Sequence, residues 1–216
     1  KVGGGRFANT GDFEGSVRME ISGNAEAILA TSGANFDLRA GSEITLVGGD
    51  VRVGFDGASR GTAVLRLEKD ASLTFEAAGG KIGRIAEFKS GAFASDFAKL
   101  QSGVNLGSAD LHLDVTGLKA GTYVLMQADE IIGTFGSFDV TGLNRNLNAS
   151  VVIDYAADEV LLKIGRGTGA LNLTTTGDED DFAASNGRLW KALTDGVGLH
   201  AEEAPVATTS GWDLLP

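Results

Sequence analysis

Carboxylates are the commonest residues able to do chemistry in this sequence, and Asp110, Asp114, Asp129, Glu130 and Asp139 fall within one short stretch. A polysaccharide-cleaving enzyme needs two or three such acids on one face, to donate a proton and to serve as base or nucleophile. Their spacing singles out no pair, so a solvated acidic face is the expected role and no catalytic residue is assigned. His112 alternates with Asp114 along one run, which puts the two on the same face and suggests a solvated pair rather than a catalytic dyad. His200 stands before Ala201, Glu202 and Glu203 with no second ligand in reach, and one imidazole makes a poor metal site. The glycine strings Lys1 to Arg6 and Gly165 to Gly169 lack the Gly-Lys-Ser/Thr ending of a phosphate loop and read as turns. No Gly-x-Ser-x-Gly nucleophile elbow is present. Asp178, Glu179, Asp180 and Asp181 offer the hard oxygens that calcium takes, but not in EF-hand spacing. Acids at the start of a helix already have an electrostatic reason to be there. The expectation is therefore a protein without a cofactor, with calcium at this run as the one candidate.

Composition narrows the field further. The chain has 216 residues, with 18 Lys and Arg against 29 Asp and Glu, a formal charge of −11. So acidic a surface is unsuited to nucleic-acid phosphate or anionic lipid. No apolar run approaches the roughly 18 to 20 residues that a membrane-spanning helix needs. Cysteine is absent, which removes disulfides, thiolate metal sites and cysteine nucleophiles together. Glycine stands at 32 with only 2 prolines, a ratio that marks turns rather than collagen or a proline-rich linker.

The elements that must position these residues are short and mostly alternating. Val17, Met19 and Ile21 point one way while Arg18 and Glu20 point the other. Val51, Val53 and Phe55 behave alike, and so do Leu111, Leu113 and Val115 around His112 and Asp114. A period of two with one apolar face predicts half-buried strands. Further runs at 44–47, 63–67, 73–75, 85–88, 123–128, 138–140, 151–155, 160–164 and 171–173 bring the count to about a dozen before Thr174. Barrel, sandwich and solenoid all satisfy such a pattern. The turns favour a coil, because only Asp56-Gly57 offers a tight hairpin dipeptide between two good runs. The segments 41–48 and 70–76 read alike, each a small polar corner followed by an apolar-polar-apolar strand, as degenerate repeats do. The fold expected is all-β, a right-handed parallel β-solenoid, with a short C-terminal helix and extended arms.

Residues 1–16 form a glycine-rich arm or first coil, 17–173 the solenoid, 174–200 an acidic segment with an amphipathic helix, and 201–216 a C-terminal arm. Within 90–103, Phe93, Phe97 and Leu100 lie at helical spacing and predict a short helix or an excursion from the coil. Phe182, Ala183, Leu189, Trp190 and Leu193 make the apolar face of the C-terminal helix.

The stretch from Ser108 to Ile164 carries Gly121-Thr122-Tyr123, then Ile132-Gly133-Thr134-Phe135, then Val160-Leu161-Leu162. It resembles the C-terminal coils of bacterial autotransporter passengers and related surface β-solenoids. The match covers about a quarter of the chain and departs from the pattern where an acidic, helix-like segment follows instead of a membrane barrel. Glycines 121 and 133 are expected at corners, with Tyr123 and Phe135 as large plugs, and Val151, Ile153 and Tyr155 alternating along one strand. The resemblance implies an extracellular or surface-displayed bacterial protein with a structural or adhesive task, in contact with copies of itself, the cell surface or polysaccharide. A carbohydrate-active enzyme on the same scaffold and a virion fibre or decoration protein are the alternatives. Phe7 and Phe13 near the start, and Trp212, Leu214 and Leu215 near the end, are large apolar groups in segments too short to bury them, and are the candidate assembly residues.

Overall fold

The structure is a computed structural model that describes residues 2–3, 6–8, 11–23, 26–31, 35–48, 52–56, 63–89, 92–93, 102–167 and 171–176. These residues are all-β and contain no helix. Twenty strands among them fall into three sheets. The first sheet orders β1 (Val2–Gly3), β4 (Arg18–Ser22), β7 (Glu43–Val47), β10 (Ser72–Glu76), β14 (Asp110–Asp114) and β17 (Ser137–Thr141). The second orders β2 (Arg6–Ala8), β5 (Glu26–Thr31), β8 (Arg52–Asp56), β11 (Arg84–Lys89), β15 (Gly121–Gln127), β19 (Glu159–Arg166), β18 (Leu147–Asp154) and β20 (Leu171–Thr176), with β12 (Ala92–Phe93) also on β11. The third holds β3 (Phe13–Gly15), β6 (Asn35–Leu38), β9 (Ala63–Leu67), β13 (Ser102–Asn105) and β16 (Glu130–Ile132). Up to β17, apart from β12 beside β11, the chain visits the three sheets in turn, so strands adjacent in sequence pair with strands of neighbouring circuits and not with each other.

Parallel pairing follows from that path, and every pair in the first and third sheets is parallel. The register turns sequence alternation into continuous apolar rows. Met19, Ile44, Leu73 and Leu111 stand in one row, and Ile21, Leu46, Phe75 and Leu113 in the next, all buried. Phe36, Leu65, Val104 and Ile131 form a row in the third sheet. Each fully buried Leu, Ile or Phe contributes about 1.5–3 kcal/mol, so these rows hold the sheets together. The segments 41–48 and 70–76 that read alike stack in register, Ile44 on Leu73 and Leu46 on Phe75.

The corner from the third sheet to the first repeats in successive circuits. Ser42 N donates to Arg39 O at 3.0 Å, Ala71 N to Glu68 O at 3.1 Å and Ala109 N to Leu106 O at 2.9 Å. Ser42, buried and polar, clamps the preceding circuit by accepting from Val17 N at 3.2 Å and donating to Gly15 O at 3.3 Å. Gly107 lies in the left-handed region at φ 51°, and a Cβ there would fall 1.6 Å from Leu67 O. Only glycine fits that approach.

Several expectations are corrected. Asp56-Gly57 does not close a hairpin, because β8 and β9 belong to different sheets. β18 and β19 do form a hairpin, joined by residues 155–158 without any glycine; Asp154 instead folds the loop, its Oδ1 accepting from Ala156 N at 3.2 Å and Ala157 N at 3.1 Å. Three pairings depart from parallel: β11 with β12, β15 with β19, and β18 with β19. In 90–103, Phe93 is in a strand opposite Phe88 and Gly103 is in β13; residues 90–91 and 94–101, with Phe97 and Leu100 of the expected helix or excursion, lie outside the described ones. The strand expected to end at Leu173 runs to Thr176, because Thr174, Thr175 and Thr176 stay in register with Val152, Ile153 and Asp154, and β-branched threonine suits a strand. Gly133 turns a corner at φ 73°, whereas Gly121 simply begins β15. Val152 is buried along with Val151 and Ile153, and Tyr155 belongs to the loop, where its hydroxyl donates to Gly133 O at 2.7 Å. The C-terminal helix expected over 182–193 lies outside the described residues.

Candidate functional site

The strand β14 alternates strictly, with Leu111 and Leu113 inward and Asp110, His112 and Asp114 outward. Its neighbour β17 sets Ser137, Asp139 and Thr141 opposite them. The structure therefore gathers Asp110, His112, Asp114 and Asp139 on one outer sheet face. Ser137 Oγ donates to Asp110 Oδ1 at 2.5 Å. His112 Nδ1 pairs with Asp139 Oδ1, not with Asp114. Directly opposed residues on paired strands are closer than residues two apart on one strand, which decides the partner. Asp114 turns to Thr116, accepting from its backbone N at 2.9 Å and its hydroxyl at 2.6 Å. The Thr116 hydroxyl first, and its amide second, hold the Asp114 carboxyl below the usual aspartate value. This is an open, polar face with an exposed carboxylate–imidazole pair, able to offer hydrogen bonds to a polar ligand.

Asp129 and Glu130 lie elsewhere, at the passage from β15 to β16. There they meet Asp158 of the β18–β19 loop, a residue that the sequence reading did not single out. Asp158 Oδ1 accepts from Ile131 N at 3.1 Å, and its backbone O accepts from Ala128 N at 3.3 Å. Burial, with the Asp158 and Asp129 charges behind it, pushes Glu130 up to about 7. Burial also pushes Asp158 up to about 6, against the pull of the Ile131 amide. Asp129 is raised by burial, and Glu159 by burial and then Asp154. The available signal was Asp154 followed by small residues, an Asx-turn pattern easily passed over when hairpins are sought through Asn-Gly and Asp-Gly. Among the described residues, no group of three or more His, Asp or Glu is arranged to hold a metal ion.

A second pair missed in the sequence is Asp37 with Arg66, in register on β6 and β9 and joined at 3.0 Å. The two side chains are only 14% and 20% exposed. Burial raises Asp37, with Arg66 opposing it and the Glu68 and Asp12 charges adding to it.

Of the candidate assembly residues, Phe7 lies in β2. Phe13 in β3 is half-buried and stacks on Phe36 of the same chain, with ring centroids 4.8 Å apart. Trp212, Leu214 and Leu215 lie outside the described residues, as do His200 and the calcium candidates Asp178, Glu179, Asp180 and Asp181. Comparisons with family models, with curated proteins and with solved structures found no match.

Proposed function

We propose that the chain is a right-handed parallel β-solenoid of a bacterial surface or extracellular space, with a structural or adhesive role and self-association as its mode of action. The observation that carries this reading is the cyclic path of β1 to β17 through three sheets, in which the pairs between successive circuits are parallel. Such a path stacks like on like and ends in strand edges at both poles. Strand sense supports head-to-tail stacking. β19 runs against β15, β18 against β19, and β20 with β18, so β20 runs in the same sense as β2. β17 likewise runs in the same sense as β1. Identical subunits joined through such edges give an open assembly rather than a closed ring. The resemblance of Ser108 to Ile164 to autotransporter passenger coils supports the surface location.

The test is light scattering at matched concentration, with electron microscopy of the particles, on the full chain and on a chain trimmed after Ala204. Filaments or layers from the full chain, weakened by trimming while the β spectrum persists, are the expected result. Monomers at every concentration overturn the self-associating role, and equal assembly of both chains removes Trp212, Leu214 and Leu215 from it.

One observation favours a carbohydrate-active reading, namely the gathering of Asp110, His112, Asp114 and Asp139 on one face. A polysaccharide-cleaving activity that is lost on changing one of these aspartates to asparagine would place that reading first.

A further inference from the structure

The loop between β18 and β19 seats on β16, the end strand of the third sheet. Three bonds make this interface. Asp158 Oδ1 accepts from the Ile131 amide, Asp158 O from the Ala128 amide, and the Tyr155 hydroxyl donates to Gly133 O. Ile131 is the middle residue of β16, so the Asp158 carboxylate serves as the acceptor that a further strand would have supplied. Beside it, Glu130 Oε1 is buried and has no hydrogen-bond partner in the structure. A carboxylate charge in that position is buried without a donor, and protonation removes the charge.

Among the described residues, the charges that raise Glu130, Asp158 and Glu159 are carboxylates. Asp129 and Asp158 act on Glu130, Asp129 and Asp154 act on Asp158, and Asp154 acts in turn on Glu159. The register neighbours of Glu130 and Ile131 on β13 are Gly103 and Val104, which carry no charge. Closing the loop thus brings carboxylates from β16, β18, β19 and the loop itself into one partly desolvated place.

We propose that this interface is a proton-operated latch, in which Glu130 holds a proton when the β18–β19 loop is seated on β16 and loses it as the loop loosens above neutral pH, while the three sheets stay folded. Asp158 Oδ1 accepts from the Ile131 amide, and a neutral Glu130 removes the repulsion between the two carboxylates. The direction follows from linkage. A carboxyl that titrates near 7 when closed and near its ordinary 4.5 when open binds its proton more tightly in the closed state. Closing is then fully favoured below about pH 4.5 and weakened as pH rises through about 7.

The experiment is amide hydrogen exchange on the full chain at pH 5 and pH 8, corrected for intrinsic rates, following Ala128 and Ile131 against Leu73 and Leu111 in the sheet interior. In the wild type, protection of Ala128 and Ile131 is expected to fall about tenfold or more from pH 5 to pH 8, one tenfold step for each unit of pKa difference. Leu73 and Leu111 are expected to hold. In Glu130→Gln, which is neutral at every pH, the fall shrinks to the part that Asp158, at about 6 when the loop is seated, still contributes. Asp158→Asn keeps an acceptor oxygen for Ile131 and removes the neighbouring charge, so it shrinks the fall and serves if the first variant folds poorly. Level protection in the wild type overturns the latch. So does an undiminished fall in both variants, or a fall shared by Leu73 and Leu111.

Discussion

His112 and Asp139 are 27 residues apart in the chain and face each other across β14 and β17, imidazole nitrogen to carboxylate oxygen. The pair marks how a circuit of the chain turns sequence distance into contact. It is also exposed, at 43% and 55% of the two side chains, and solvent screens it. Asp139→Asn is therefore expected to cost less than about 1 kcal/mol in chemical denaturation. A loss of several kcal/mol would show that the outer face of the first sheet is structural rather than solvated.

The corner glycines divide by what lies around them. Gly107→Ala drives a methyl into the Leu67 carbonyl, and Gly142→Ala one into the Thr116 hydroxyl, 2.1 Å from the Cβ position, and the Asp114 carboxylate, 2.6 Å away. Gly117, at φ 82°, has nothing within 4 Å. Gly117→Ala carries only backbone strain, about 1–2 kcal/mol, whereas Gly107→Ala adds displacement of the packed corner and is expected to lose about 3 kcal/mol or more. Equal losses at 107 and 117 in urea melts would refute the close approach.

Phe75 is fully buried between Leu46 and Leu113 in the same row. Truncation to alanine opens a cavity with strands on both sides fixed by pairing, so little collapse is available. The expected cost is about 3–5 kcal/mol, read from the denaturation midpoint at constant slope. A cost under about 1 kcal/mol would mean that the rows do not pack as the register places them.

Among the groups with a resolved shift, Asp37, Asp129, Glu130, Asp158 and Glu159 are raised and Asp114 is lowered. Raised carboxyls give stability that is complete below their unfolded values and lost as pH climbs through the folded ones, about 6 for Asp158 and about 7 for Glu130. Asp114 acts oppositely, stabilising above its unfolded value and losing that contribution as pH falls through its lowered one. The balance predicts a higher melting temperature at pH 5 than at pH 8, with Glu130→Gln raising it at pH 8 and leaving pH 5 nearly unchanged. A melting temperature that rises from pH 5 to pH 8 would contradict the sign.

Strand identity was legible in the sequence because it depends on which side chains alternate. Val17 to Ile21, Leu111 to Val115 and the paired reading of 41–48 with 70–76 needed only the period of two, and the structure uses each as read. The outward position of Asp110, His112 and Asp114 followed from the same rule. What alternation does not carry is which strand lies next to which. Partner choice depends on the lengths of the passages between sheets, and these set Asp139 rather than Asp114 on His112, Asp37 on Arg66, and Phe93 opposite Phe88. The meeting of Glu130 with Asp158 is the clearest case. One belongs to β16 and the other to a loop, they lie in separate parts of the sequence, and nothing in either segment names the other. Local chemistry fixed the faces of the strands, and only the three-sheet path, where burial and pairing are shared among distant segments, decided the neighbours.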